Sequence, residues 1–411
     1  ILESFKDIRD KYVLHIEKMF GYLGYEEQIC KKYANKILAF ETLIANEKMD
    51  KVDRRDPAKT YNPKSILEIK EIVPIIDWDL YLKNIGVTNI DTIIISDLNY
   101  FNYLNILLSE GNVEDWRIYF KWGVLNDAAS MLTEKMEIAN WEFYSKTLRG
   151  VQQQKPREER AISSINWSIG QALGKLYVDK KFPPEAKKTA QNMIDNIIDA
   201  YRIRINNLTW MDAETKVKAI DKLDKISIKI GYPDKWKDYS NLHIVPLNQG
   251  GSYFDNKLNL SIWSRQENLS KLHKEVDKEE WFMSPQIVNA YYNPSNNEIV
   301  FPAGILQPPF YDFQADPAVN YGGIGAVIGH EISHGFDDSG ADYDGDGNLV
   351  KWWTDSDYEK FNELGDSLAA QYSRIEVLPE VFINGKFTLG ENIGDLGGVN
   401  SAFDGLELYL S

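Results

Sequence analysis

The chain has 411 residues and a mass of 47.3 kDa, about two or three domains' worth at roughly 150 residues each. Its composition, 43% hydrophobic and 26% charged, excludes a disordered or fibrous chain. No run nears the ~18 uninterrupted apolar residues of a membrane span. With 46 basic against 62 acidic residues the net charge is −16, which disfavours nucleic-acid backbones and anionic lipid as partners.

The first 230 residues read as mostly helical. Ile8, Tyr12, His15 and Met19 recur at helical spacing, and Ile29, Tyr33, Ile37, Phe40 and Ile44 continue it. A polar stretch over 50–63, with Pro57 and Pro63, breaks the run. Further helices are predicted over about 65–73, 95–109, 113–148, 160–180 and 184–230. Residues 231–281 are irregular and rich in Gly, Pro, Asn and Tyr, and read as a connection. Two apolar runs, 286–292 and 298–302, flank a turn at 293–297 and predict a β-hairpin. A helical run over 324–336 follows, then a turn rich in Asp and Gly at 337–348. The next helix, about 355–374, opens on Thr354 with Asp357 behind it as a capping pair. A last element starts near Gly390 and runs to Ser411. The expected division is 1–230 helical, 231–281 connecting and 282–411 carrying the chemistry.

The chemistry sits in His330-Glu331-Ile332-Ser333-His334, an H-E-x-x-H sequence. Histidines four apart on a helix face the same way, so both imidazoles can reach one metal ion. Glu331 lies on a neighbouring face, placed to reach a water at that ion. A closed structural zinc site is usually cysteine-rich, and this chain has only Cys30, which predicts an open, catalytic site with N and O ligands. Downstream, Glu391 and Asp395 are also four apart. One can bind metal while the other accepts the free N–H of a ligating histidine. His15, His243 and His273 have no ligand-spaced partner and read as structural or surface residues, and Cys30 as a buried thiol. Asp342–Asn348 begins like an EF-hand loop, but its twelfth position is Trp353 rather than Glu, so a turn leaving the metal helix is the expected reading.

With these stretches together, the chain resembles the neprilysin-type (M13) zinc endopeptidases, and is similar to their bacterial oligopeptidase branch. The resemblance rests on Asn289-Ala-Tyr-Tyr292, on 298–310, on Gly322–Asp338 and on Gly390–Gly398. Upstream, Ala172–Val178, Trp210-Met-Asp212, Thr215-Lys216 and Ile230-Gly-Tyr-Pro233 also match. It implies a mainly α fold with a small β component: a thermolysin-like zincin catalytic domain plus a helical capping domain. It further implies one zinc ion per chain, held by His330, His334 and Glu391, with Glu331 as general base. Asp395 would orient His330, and Asp337 would orient His334. Asn289 and Ala290 match the family's edge strand, which holds an extended oligopeptide. Ile305, Phe310 and Val327 match the walls of the pocket for a hydrophobic residue after the cut. Ala326 is smaller than the residue usual there.

The chain opens on Ile1 inside a helical pattern and closes on Ser411 inside an apolar run, and so reads as a fragment lacking pieces of both domains. The resemblance implies a later His that stabilises the oxyanion and an Arg that grips substrate, neither of which the chain reaches. The alternative to an endopeptidase is therefore a non-catalytic module that binds zinc and peptide. For location, the bacterial resemblance leans towards an extracytoplasmic site.

Overall fold

The computed structural model describes residues 5–411, which are mostly helical with three small sheets. They form two compact units that do not follow the linear division expected from the sequence. One contains the chain up to Asp50, then Lys59–Ile162 and Tyr239–Glu275; the other contains Lys51–Ala58, Ser163–Asp238 and Val276–Ser411. Among the described residues no helix is long and apolar enough to cross a membrane.

The first unit is built on the helices Lys6–Tyr22 and Glu27–Glu47, which reverse direction around Gly24 at φ +88°. Their apolar stripes meet: Ile16, Met19 and Phe20 are fully buried against Ala34 and Ile37, with Trp122 of the helix Val113–Ala128 closing the cluster. Cys30 is a buried thiol in this core, as expected. The predicted single helix over 113–148 is instead three pieces, because the chain leaves helical geometry at Leu132 before the helix Glu134–Trp141 and a π-helical turn, Glu142–Thr147. Residues 231–281 are also not all irregular: Tyr253–Leu269 is a helix, opened by Ser252 Oγ accepting from the Asp255 N–H. Only Trp263 of its residues is fully buried, so it had no apolar stripe to announce it.

His15 lies in an aromatic box in this unit, stacked on Phe143 at 5.1 Å and edge-on to Trp122 and Tyr144. Burial, with the Lys18 charge adding, lowers its imidazole from 6.5 to about 4, against the pull of Asn126 and Glu142. The unfolded chain therefore takes up a proton between those values that the folded chain refuses. Stability is undiminished above the unfolded value and falls as the pH drops towards the folded one, by about 3 kcal/mol in all. Replacing His15 by Phe should flatten that slope in unfolding measurements at pH 7 and 4.5. A variant as acid-sensitive as the parent contradicts this account.

The second unit holds the largest core. The helix Pro184–Asn207 buries Ala190, Ile194, Ile197 and Tyr201 along one stripe. It meets Ile324, Ile328 and Ile332 of the segment carrying H-E-x-x-H, all three fully buried. The expected helix over 184–230 stops at Asn207, resumes at Ala213–Asp224 and gives way to a strand, Ser227–Gly231. That strand pairs parallel with Glu298–Pro302, Ser227 opposite Glu298 and Gly231 opposite Pro302. The predicted hairpin is present, with Tyr291–Asn293 antiparallel to Glu298–Pro302 and Tyr291 opposite Val300. The order therefore leaves Tyr291–Asn293 at the edge of the sheet.

Candidate metal centre

The helix Ala326–Ser333 carries His330 and Glu331, and His334 begins the 3₁₀ turn that ends it. The His334 N–H still bonds back to the His330 carbonyl, so the i, i+4 relation survives to the second histidine. The helix Leu389–Leu410 crosses this one and places Glu391 in its first turn and Asp395 one turn on. The two backbones come together at glycines. A Cβ at Gly398 would stand 2.4 Å from the Ala326 carbonyl oxygen and 2.8 Å from the His330 nitrogen. One at Gly329 would stand 2.2 Å from Ser401 Oγ and 2.8 Å from the Gly398 backbone.

That crossing brings the ring atoms and the carboxylate to one point. His330 Nε2 and His334 Nε2 are 2.9 Å apart, and Glu391 Oε2 is 3.5 Å from the first and 3.8 Å from the second. Tetrahedral zinc, at about 2.0–2.1 Å from each ligand, separates its ligands by about 3.3 Å. The other ring nitrogens are already used. His330 Nδ1 donates to Asp395 Oδ1 at 2.9 Å and His334 Nδ1 donates to Asp337 Oδ2 at 2.8 Å. Both Nε2 atoms then present lone pairs to each other and to a carboxylate, an arrangement relieved by a proton on one ring or by a metal ion held between them. The residues fit zinc by donor type and spacing alike.

The electrostatics agree. Burial alone would lower the His334 imidazole, but the hydrogen bond and charge of Asp337, with Glu331 and Glu391, hold it above its ordinary value. Glu331 is 6% exposed. Its burial, with Glu391 adding, pushes its carboxyl up, while both histidines and the Tyr292 backbone N–H pull it down. A buried carboxylate of raised basicity suits proton abstraction near neutral pH. The orienting role of Asp395 gives a prediction. Asp395→Ala should weaken zinc binding about 10-fold in a chelator competition. Its side chain is 74% exposed, so the zinc-free melting temperature should not move. Unchanged zinc affinity would show that the His330 contact does no orienting.

The remaining sequence-derived positions divide. Asn289 is exposed and Ala290 is buried just before the edge strand. Ile305 is buried in the core, Val327 is half-buried and Phe310 is exposed. The Phe310 carbonyl accepts from the Ile324 N–H at 2.8 Å, which ties it to the start of the metal helix. The acids of the loop at 342–348 already have partners within the protein: Asp342 accepts from the Tyr358 hydroxyl, Asp344 from the N–H groups of Asp346 and Asn348, and Asp346 pairs with Lys225. Its twelfth position, Trp353, is in the core.

Two basic residues escaped the sequence reading. Lys222 is fully buried and donates to the carbonyls of Gly340 and Tyr343 at 2.7 and 2.6 Å. Burial lowers its ammonium to about 7, against the pull of Asp337, Asp344 and Asp342. The available signal was a lysine between Ala219 and Leu223 on the buried stripe of its helix. Arg55 pairs with Asp338 at 3.2 Å and had no local signal at all.

The chain is similar to known proteins over nearly all of its length. Two models of peptidase family M13 match residues 2–233 and 289–409. Neprilysin-3 of Drosophila melanogaster is 33% identical over 98% of this chain and 52% of its own length. An endothelin-converting enzyme homolog of Locusta migratoria is 36% identical over 95% of this chain and 56% of its own. The chain thus spans about half the length of the curated relatives it matches. Among solved structures, the Mycobacterium tuberculosis zinc metalloprotease Zmp1 in complex with an inhibitor superimposes with a TM-score of 0.94. It is 42% identical, over 100% of this chain and 63% of that one. PepO of Lactobacillus rhamnosis gives a TM-score of 0.91 at 28% identity, over 98% of this chain and 63% of that one. The chain belongs to peptidase family M13.

Proposed function

We propose that this protein is a zinc-dependent endopeptidase that hydrolyses oligopeptides on the N-terminal side of hydrophobic residues, with one zinc ion per chain. The observation that carries the reading is the convergence of His330, His334 and Glu391 beside a buried carboxylate that accepts from the edge strand. Zinc bound there supplies a Lewis acid that polarises a carbonyl and makes water acidic enough to attack near neutral pH. The chain's own residues do the rest. Asp395 and Asp337 keep the Nδ1 protons and so turn both Nε2 lone pairs inward. The Glu331 carboxylate takes the proton of the attacking water and returns it to the leaving amine nitrogen. Tyr291–Asn293 offers its unpaired side to an extended peptide as an added strand, with the exposed Asn289 amide next to it. Phe310 and Val327, backed by Ile305, form the apolar wall that selects the residue after the cut.

A second reading keeps the zinc and the peptide but not the turnover. Of the five histidines, His330 and His334 are committed to the centre, and His15, His243 and His273 belong to the other unit. The unit that carries the centre therefore holds no third imidazole of its own for a developing oxyanion, and lack of an oxyanion donor commonly costs about 10²–10³ in rate. Zinc content and cleavage of quenched-fluorescence peptides, measured together, separate the readings. Zinc with cleavage supports the enzyme, zinc with peptide binding alone supports the module, and a chain that takes no zinc refutes both.

A further inference from the structure

The loop leaving the metal helix is held from a distant part of the chain. Asp337 Oδ1 accepts from the N–H groups of Ser339 and Gly340 at 2.9 and 2.6 Å, while its Oδ2 holds His334. The next two residues both turn to Arg55, in the short 3₁₀ turn Asp53–Arg55. Asp338 Oδ1 is 3.2 Å from Arg55 Nη2, with side chains 22% and 27% exposed. Ser339 Oγ donates to the Arg55 carbonyl at 2.9 Å. One residue therefore grips the loop by side chain and main chain together.

The same guanidinium lies against the other ligand-bearing element. A Cβ at Gly390 would stand 2.4 Å from Arg55 Nη2, 2.7 Å from Asp338 Oδ1 and 2.8 Å from Asp337 Oδ2. The backbone just before Glu391 is thus seated on Arg55, Asp337 and Asp338 at once. Two carboxylates meet there, and Arg55 is the cation paired with one of them, Asp338. A planar guanidinium can bond Asp338 at one edge while its flat face lies on a glycine backbone, which a lysine ammonium cannot reproduce.

We infer that Arg55 is a positioning residue of the metal centre, bracing the loop that orients His334 against the backbone that presents Glu391. The inference rests on reading His330, His334 and Glu391 as a zinc site. Chelator competition on the whole chain, with zinc-free melting measured alongside, tests it. Arg55→Met should weaken zinc binding by about 10-fold or more, the range expected when a group behind a ligand is lost. Arg55→Lys should recover only part of it. Adding Asp338→Asn to Arg55→Met should also recover part, because it removes the carboxylate left facing Asp337. Zinc affinity in Arg55→Met within about threefold of the parent overturns the inference and leaves the zinc reading intact. So does a loss of affinity that tracks a lower melting temperature and that Asp338→Asn does not relieve. Should Arg55→Met fail to fold, Arg55→Lys decides: weaker zinc at an unchanged melting temperature supports the inference, and unchanged affinity overturns it. A parent chain that takes no zinc in the same titration refutes the reading beneath it.

Discussion

Glu331→Gln is expected to lower peptide hydrolysis by about 10³ or more while zinc content stays at the parent's level. Glutamine has the same shape, and its amide oxygen can still accept from the Tyr292 N–H that reaches Glu331. What it lacks is basicity. The ligand atoms, on His330, His334 and Glu391, are untouched, so zinc should bind as before. The base works only when deprotonated, so the rate should fall as the pH is lowered. The Gln variant should fold with equal or slightly greater stability, since a buried charge with little solvent becomes a neutral amide. Residual activity above a few per cent of the parent would remove Glu331 from the proton transfer.

Gly398→Val should do more damage than the loss of any single ligand. Its Cβ would enter the space of the Ala326 carbonyl oxygen and the His330 nitrogen, neither of which can swing aside as a side chain would. The helices Ala326–Ser333 and Leu389–Leu410 would have to separate, carrying His330 and His334 away from Glu391. Overpacking of a buried crossing costs about 3 kcal/mol, and more where backbone meets backbone. We expect a lower melting temperature together with zinc binding weakened at least about 100-fold, as for loss of a ligand and its orienting partner. Gly123→Ala is the control. It lies in a helix interior with nothing within 4 Å of the new Cβ. It should be neutral or stabilising by up to about 1 kcal/mol. Normal zinc affinity in Gly398→Val would mean that the close crossing does not fix the centre.

The two halves of the ligand set were legible because each is local, whereas the choice of Glu391 over Asp395 and its meeting with the histidines came from the resemblance. Two histidines one helical turn apart, and two acids one turn apart, each share a face whatever the rest of the chain does. The hairpin was legible for the same reason, since its turn lies between the paired strands. The parallel strand Ser227–Gly231 was not, and was absorbed into a helix. Its partner Glu298–Pro302 is distant in sequence, and its middle residue Lys229 reads as polar while being buried against Glu298 at 2.6 Å. Arg55 and Lys222 were invisible as parts of the centre because what they hold is backbone and carboxylates far along the chain. The compact units likewise cut across the linear division because Pro184–Asn207 packs on both helices of the metal centre. Short-range periodicity cannot show that packing.

The central claim is that His330, His334 and Glu391 hold one zinc ion. Crystals of the zinc-loaded chain, measured at the zinc absorption edge, test it most directly. The account predicts a single anomalous peak about 2.0–2.2 Å from His330 Nε2, His334 Nε2 and a Glu391 carboxylate oxygen. A zinc-loaded crystal with no peak between those atoms, or with its peak at the Asp342–Asn348 loop, would contradict it.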